Sequence, residues 1–230
     1  MLNKGSFFDD RQIPNRHRLA IAECLHDYDV KRVFIESRPE FVTEASLKGF
    51  REQLGSDREL TIGVGLETSD ERLLDLIRKG ISLKVLEKCV ILLQENNVRV
   101  QTFLMAGLPG ANEPETTLKS IRYAKEIGSD QIMISATVPR RGSELQKMWQ
   151  RKEWKPIDIT LFYQMADSAK THFASKDVEV WPWGIRSYQS EIQMARYKQY
   201  RDGSPPNQLR IEDFRARSES ENDLDKNYPG

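Results

Sequence analysis

Four apolar runs, each leading into a helical pattern, limit what this chain can fold into. They start near residues 32, 60, 98 and 131, so successive starts are 28, 38 and 33 residues apart. Runs that far apart, with a helix between, cannot be hairpins. They read as crossover-connected strands of a parallel sheet or barrel, an α/β fold. In such folds the chemistry lies at the carboxyl ends of the strands. Those ends read Gly5-Ser6, Glu36-Ser37-Arg38, Gly65-Leu66-Glu67, Gly107-Leu108-Pro109-Gly110 and Val138-Pro139-Arg140.

The third run carries the most information. In VRVQTFLMAGLPG (98–110), Val98, Val100, Phe103, Leu104 and Met105 suit a buried strand. Gly107 and Gly110 then let backbone come close to a neighbour, and Pro109 fixes one φ. Asn112 is a candidate N-cap, with Glu113 and Glu115 in the first helical turn. The turn is either a ligand floor or a tight βα loop that binds nothing. Around it the pattern predicts helices over about 14–28, 43–54, 68–80, 82–96, 113–127 and 157–174. The glycines of LTIGVGL (60–66) imply that something packs against that strand. VEVWPW (178–183) is one more strand or an aromatic turn, and the last ~30 residues read as a loose tail.

Charge and cysteine content narrow the function classes. Lys+Arg and Asp+Glu both number 35, so net charge favours neither a nucleic-acid nor a membrane partner. No apolar run approaches the ~18 residues of a membrane span. Met1–Gly5 leads into a short apolar-acidic turn and not into a signal-peptide core, so the expected compartment is the cytoplasm. Two cysteines exclude a disulfide framework. Cys24 and Cys89 both fall at helical spacing with apolar neighbours and read as buried hydrophobes.

Glu36, Arg38 and Glu67 are the charged groups expected on the strand-end rim. Carboxylates there can accept from an ammonium or from ribose hydroxyls, and Arg38 can hold a carboxylate with two donors. The set suits a zwitterionic, nucleoside-like ligand; equally, Arg38 could close a rim salt bridge to Glu36 or Glu67. His17, His26 and His172 fall on helices, and there is no nucleophile elbow, metal spacing or Walker sequence. Residues 140–155 hold six basic and two acidic side chains with Trp149 and Trp154. That stretch either faces RNA or is a solvated helix whose indoles pack inward.

Taken in order, GSFFD, VFIESRPEFVT, VGLETSDERLLDLIRKG, FLMAGLPG and ATVPRRGSEL resemble the radical S-adenosylmethionine superfamily. The resemblance covers about residues 3–148 and is to the branch holding the elongator catalytic subunit and the archaeosine-forming radical enzyme. It implies a partial (βα)6 TIM-like barrel. It also implies a reduced [4Fe-4S] cluster that cleaves S-adenosylmethionine to a 5′-deoxyadenosyl radical, with a tRNA nucleoside as substrate. By the same resemblance Gly5 and Ser6 match the motif that meets the methionine amino group, and Glu36 and Arg38 the third strand's polar end. Glu67 matches the position near the ribose, Gly107, Leu108, Pro109 and Gly110 the glycine motif beside the adenine, and Val138 and Pro139 the sixth strand's end, also by the adenine.

The family's CxxxCxxC loop has no counterpart here: the two cysteines are 65 residues apart. The expectation is a barrel lacking its first βα unit, with an open strand edge, poor solubility alone, and a protein partner supplying the missing segment. The alternative is a cluster-free, non-catalytic S-adenosylmethionine-binding or scaffold protein that docks a partner. An ordinary barrel acting on a phosphorylated metabolite would need a late-strand glycine-lysine signal that the chain lacks. The expected organisation is a core barrel over 1–150, a helix and aromatic strand or turn over 151–185, and a polar tail over 186–230.

Overall fold

The computed structural model describes residues 5–28 and 30–203. Five parallel strands form one sheet in sequence order, β1-β2-β3-β4-β5. They are β1 (Arg32–Ser37), β2 (Glu59–Glu67), β3 (Arg99–Ala106), β4 (Gln131–Ala136) and β5 (Val178–Trp181). The consecutive order is that of a barrel wall, and the 178–183 segment resolves as a strand.

One face of the sheet builds the core. Ile35, Ile62, Val64, Val100, Leu104, Ile132 and Ile134 are fully or almost fully buried on it. The helices α2 (Glu44–Leu54), α4 (Leu83–Glu95), α5 (Glu115–Glu126) and α7 (Ile159–Ala169) bring Phe50, Leu54, Leu86, Leu93, Ile121, Phe162 and Met165 into the same apolar cluster. Burying each such side chain contributes about 1.5–3 kcal/mol. The other face carries Phe34, Glu36, Phe103, Ser135 and Trp181, half-buried or exposed. At its amino end Arg99 bridges Glu59 (3.1 Å) and Asp177 (3.3 Å), and Gln131 donates to Asp177.

Helix ends follow side-chain chemistry. Thr43 and Ser46 form the capping box of α2, and Gly55 ends it. The expected N-cap Asn112 is displaced: α5 starts at Glu115, and the carboxylate of Glu113 accepts from the Thr117 amide (3.2 Å) and hydroxyl (2.8 Å). Helix α3 (Glu71–Leu76) stops short of the expected Gly80, because Arg78 enters the left-handed region (φ 54°) and the Lys79 amide turns back to the Leu74 carbonyl.

Two readings of the sequence are corrected. Cys24, expected in the core, is exposed. The buried face of α1 (Asn15–Asp27) is Arg18 and Ala22, with Arg18 donating to Ile13 O and Asp10 and lying over the Phe8 ring. The expected loose tail contains α8 (Glu191–Arg201), capped by Ser190 and Gln193 and held on α7 by Tyr197, stacked on Tyr163 with ring centroids 5.0 Å apart. Residues 204–230 of that stretch lie outside the described residues. Among the described residues no helix is long and apolar enough to cross a membrane.

Candidate functional site

At the carboxyl end of β1, Glu36 projects to the open face of the sheet, opposite Gly63 of β2. Its carboxylate has no hydrogen-bond or ion-pair partner among the described residues, and partial burial raises its pKa above the ordinary 4.5. Ser6 sits against the same strand end: its hydroxyl accepts from the Arg38 amide (3.0 Å), and the Phe7 amide donates to Glu36 O (2.9 Å). The edge of β1 is thus covered at its carboxyl end by residues 6–8.

Glu67 ends β2 just after a register shift between Gly65 and Glu67. Its φ is +67°, which for a residue with a Cβ costs about 1–2 kcal/mol. The bulge and the left-handed turn re-aim its carboxylate, which accepts from Lys79 Nζ at 2.6 Å over the backbone of Gly65. Lys79 reaches it because α3 ends early. The rim salt bridge considered for Arg38 does not form: Arg38 pairs with Glu40 (2.5 Å) and donates to Lys79 O (2.8 Å).

The glycines of β2 are where the sequence asked for a close neighbour. A Cβ on Gly63 would lie 2.6 Å from Phe103 and 2.8 Å from Phe34, whose rings fill that space. Phe103 also lines a cavity of about 300 Å³ at the carboxyl ends of the strands, at the small end of ligand sites. Its wall holds Glu36, Glu67, Phe103, Leu104, Met105 and Met133, continued by Ser135, Ala136, Val138, Arg140, Trp181 and Trp183.

Of the residues singled out in the sequence, Glu36, Glu67 and Val138 meet in this cavity. Gly5, Ser6, Arg38, Pro139 and the glycine turn lie outside its lining. The turn is engaged by the chain itself. Gly107 (φ +82°) donates to Glu113 (2.8 Å) and accepts from Trp154 Nε1 (3.0 Å), and Ile157 packs where its Cβ would be. Leu108 is buried, Pro109 follows it, and Gly110 (φ +75°) accepts from Arg72 (3.0 Å). Trp154 and Trp149, the latter edge-on to Tyr188 at 5.2 Å, therefore pack inward, away from an RNA-facing role. Arg140, placed at a strand end by the sequence, also lines the cavity; Lys79, Trp181 and Trp183 were not legible as site residues, and the signal for the indoles was the period-two spacing in VEVWPW.

The donor set does not fit an iron–sulfur cluster. Among the described residues no three His, Cys, Asp or Glu side chains gather to hold a metal. Cys24 stands on exposed α1, and Cys89 is buried on α4 with its thiol pushed up to about 12 by burial.

No family model matches the chain. Archaeosine synthase subunit beta of Thermococcus kodakarensis is 27% identical over 192 residues, 81% of this chain and 59% of that protein. The tRNA uridine(34) acetyltransferase of Methanocaldococcus infernus is 28% identical over 124 residues, 53% of this chain and 22% of that one. A solved Elp3 of Methanocaldococcus infernus, with residues 1–46 deleted, superposes with a TM-score of 0.64 at 20% identity over 87% of this chain and 53% of its own. The chain is similar in sequence to archaeosine synthase subunit beta and shares the fold of the solved Elp3. Its named relatives include tRNA-modification proteins. The chain spans about half the length of the curated relatives it matches.

Proposed function

We propose that the strand-end cavity binds an S-adenosyl ligand, and that the whole protein uses it to modify a tRNA nucleoside. The observation that carries this reading is the pairing of Glu36 and Glu67 in one cavity. Glu36 has a carboxylate with no hydrogen-bond or ion-pair partner among the described residues, and Glu67 is held there by a strained backbone. Buried carboxylates without a full set of partners cost stability unless a ligand completes them. Glu36 and Glu67 would accept from an ammonium or ribose hydroxyls, and Met105, Met133 and Val138 would pack on an apolar base. Gly5, Ser6, Arg38, Leu108, Pro109, Gly110 and Pro139 shape the rim behind them, and Gly107 fixes the turn.

S-adenosylmethionine, when bound, would present its ammonium and ribose to the two carboxylates and its sulfonium to the cavity. The described residues do not fit an iron–sulfur cluster, so the role argued for this chain is to bind and orient the ligand. The tRNA assignment draws on the superfamily branch and on relatives named archaeosine synthase subunit beta and tRNA uridine(34) acetyltransferase.

Calorimetric titration of the full chain with S-adenosylmethionine tests the reading. Binding that weakens at least tenfold in both Glu36→Gln and Glu67→Gln supports it. Absence of binding by the unaltered chain, or affinity unchanged in both variants, overturns it.

A further inference from the structure

Two of the large apolar side chains left most exposed both line the cavity: Trp183, 77% exposed, and Trp181, 42% exposed. The pairing of Trp181 with Ser135 places it on the open face of the sheet, and Trp183 follows two residues later, past Pro182. The backbone around them is pinned. Gly184 turns the chain at φ +75° and Ile185 is fully buried. The Tyr188 hydroxyl donates to Pro139 O (3.2 Å), and Gln189 bonds both Ile157 O and the Ile159 amide. The indoles are therefore exposed on a fixed support.

Arg140, on the same wall, has no hydrogen bond or ion pair for its guanidinium among the described residues. Arg38 and Arg151, by contrast, are both committed to carboxylates. Flat aromatic faces next to an uncommitted guanidinium bind single-stranded nucleic acid: bases stack on the rings while the cation takes a phosphate. A protein partner would call for a contiguous apolar patch, whereas these two indoles are flanked by Arg140 and open onto the carboxylates deeper in the cavity.

We propose that Trp181 and Trp183 form a stacking platform for an unpaired RNA base at the mouth of the cavity, with Arg140 on the adjoining phosphate. The proposal names the substrate side of the site assigned above and rests on that reading for the choice of RNA.

The test uses the full chain and two labelled seven-nucleotide single-stranded RNAs, one intact and one abasic at its central nucleotide, read by fluorescence anisotropy. The expected result is at least about fivefold tighter binding of the intact RNA, as one stacked base gives. Trp183→Ala should abolish the difference and Trp183→Phe retain most of it. Arg140→Gln should weaken both RNAs alike. Equal affinity for the two RNAs, no binding of either, or a base preference that survives Trp183→Ala overturns the platform. S-adenosylmethionine titration of the same preparation separates the two readings. Ligand binding without base preference removes the platform alone, and base preference without ligand binding removes the ligand assignment alone.

Discussion

Lys79 Nζ lies 2.6 Å from Glu67 Oε1, both side chains more than four-fifths buried, at the one point where β2 leaves its register. Removing the cation leaves a carboxylate poorly solvated and unpaired, which costs about 1–3 kcal/mol. Lys79→Met should therefore lower the urea midpoint by that equivalent with an unchanged slope. Lys79→Met/Glu67→Gln should recover much of the loss, because no bare charge remains. A double variant as unstable as the single one would show that the pair does not act as a unit.

Glu36 gives a pH signature. Its pKa is raised in the folded chain by burial, so its ionised form is disfavoured there. The penalty is fully present above the folded pKa. It fades as pH falls, and is gone below the unfolded value near 4.5. Glu36→Gln should be more stable than the unaltered chain at pH 7 and indistinguishable from it near pH ~3. Stability curves that run parallel from pH ~7 to ~3 would remove the titration from the explanation.

Gly63→Ala places a methyl within 2.6 Å of Phe103 and 2.8 Å of Phe34. Overpacking of this kind costs about 1–3 kcal/mol. Combining it with Phe103→Leu should return part of the loss, which thermal unfolding of the two variants will read.

The cysteines should react unequally. One equivalent of a thiol reagent should modify the native chain, at exposed Cys24; Cys89, buried and with its pKa pushed up to about 12, should react only on unfolding. Mass spectrometry of the labelled peptides distinguishes them.

The strands were legible because apolar β-formers mark them, and Thr43 and Gly55 announced the ends of α2 through their own capping chemistry. Three features were not. The face of α1 is set by a buried guanidinium, Arg18, and a hydrophobic pattern does not register a charged residue in the core. The end of α3 depends on Arg78 taking a left-handed backbone, which its residue type does not signal. For the glycine turn at 107–110 the sequence leaves a ligand floor and a closed βα loop as alternatives, because the groups that occupy it, Trp154 and Ile157, come from about 50 residues later. Long-range partners of this kind are invisible to local spacing.

Position 67 can be treated as a vote between two selections. Its backbone sits at φ +67°, where glycine or asparagine is comfortable and glutamate is not. In a Lys79→Met background, where no buried ammonium needs the carboxylate, a library selected for folding alone should drift there to glycine or asparagine. One selected for ligand capture should hold glutamate. The residue found at that bend thus records which pressure has governed the chain.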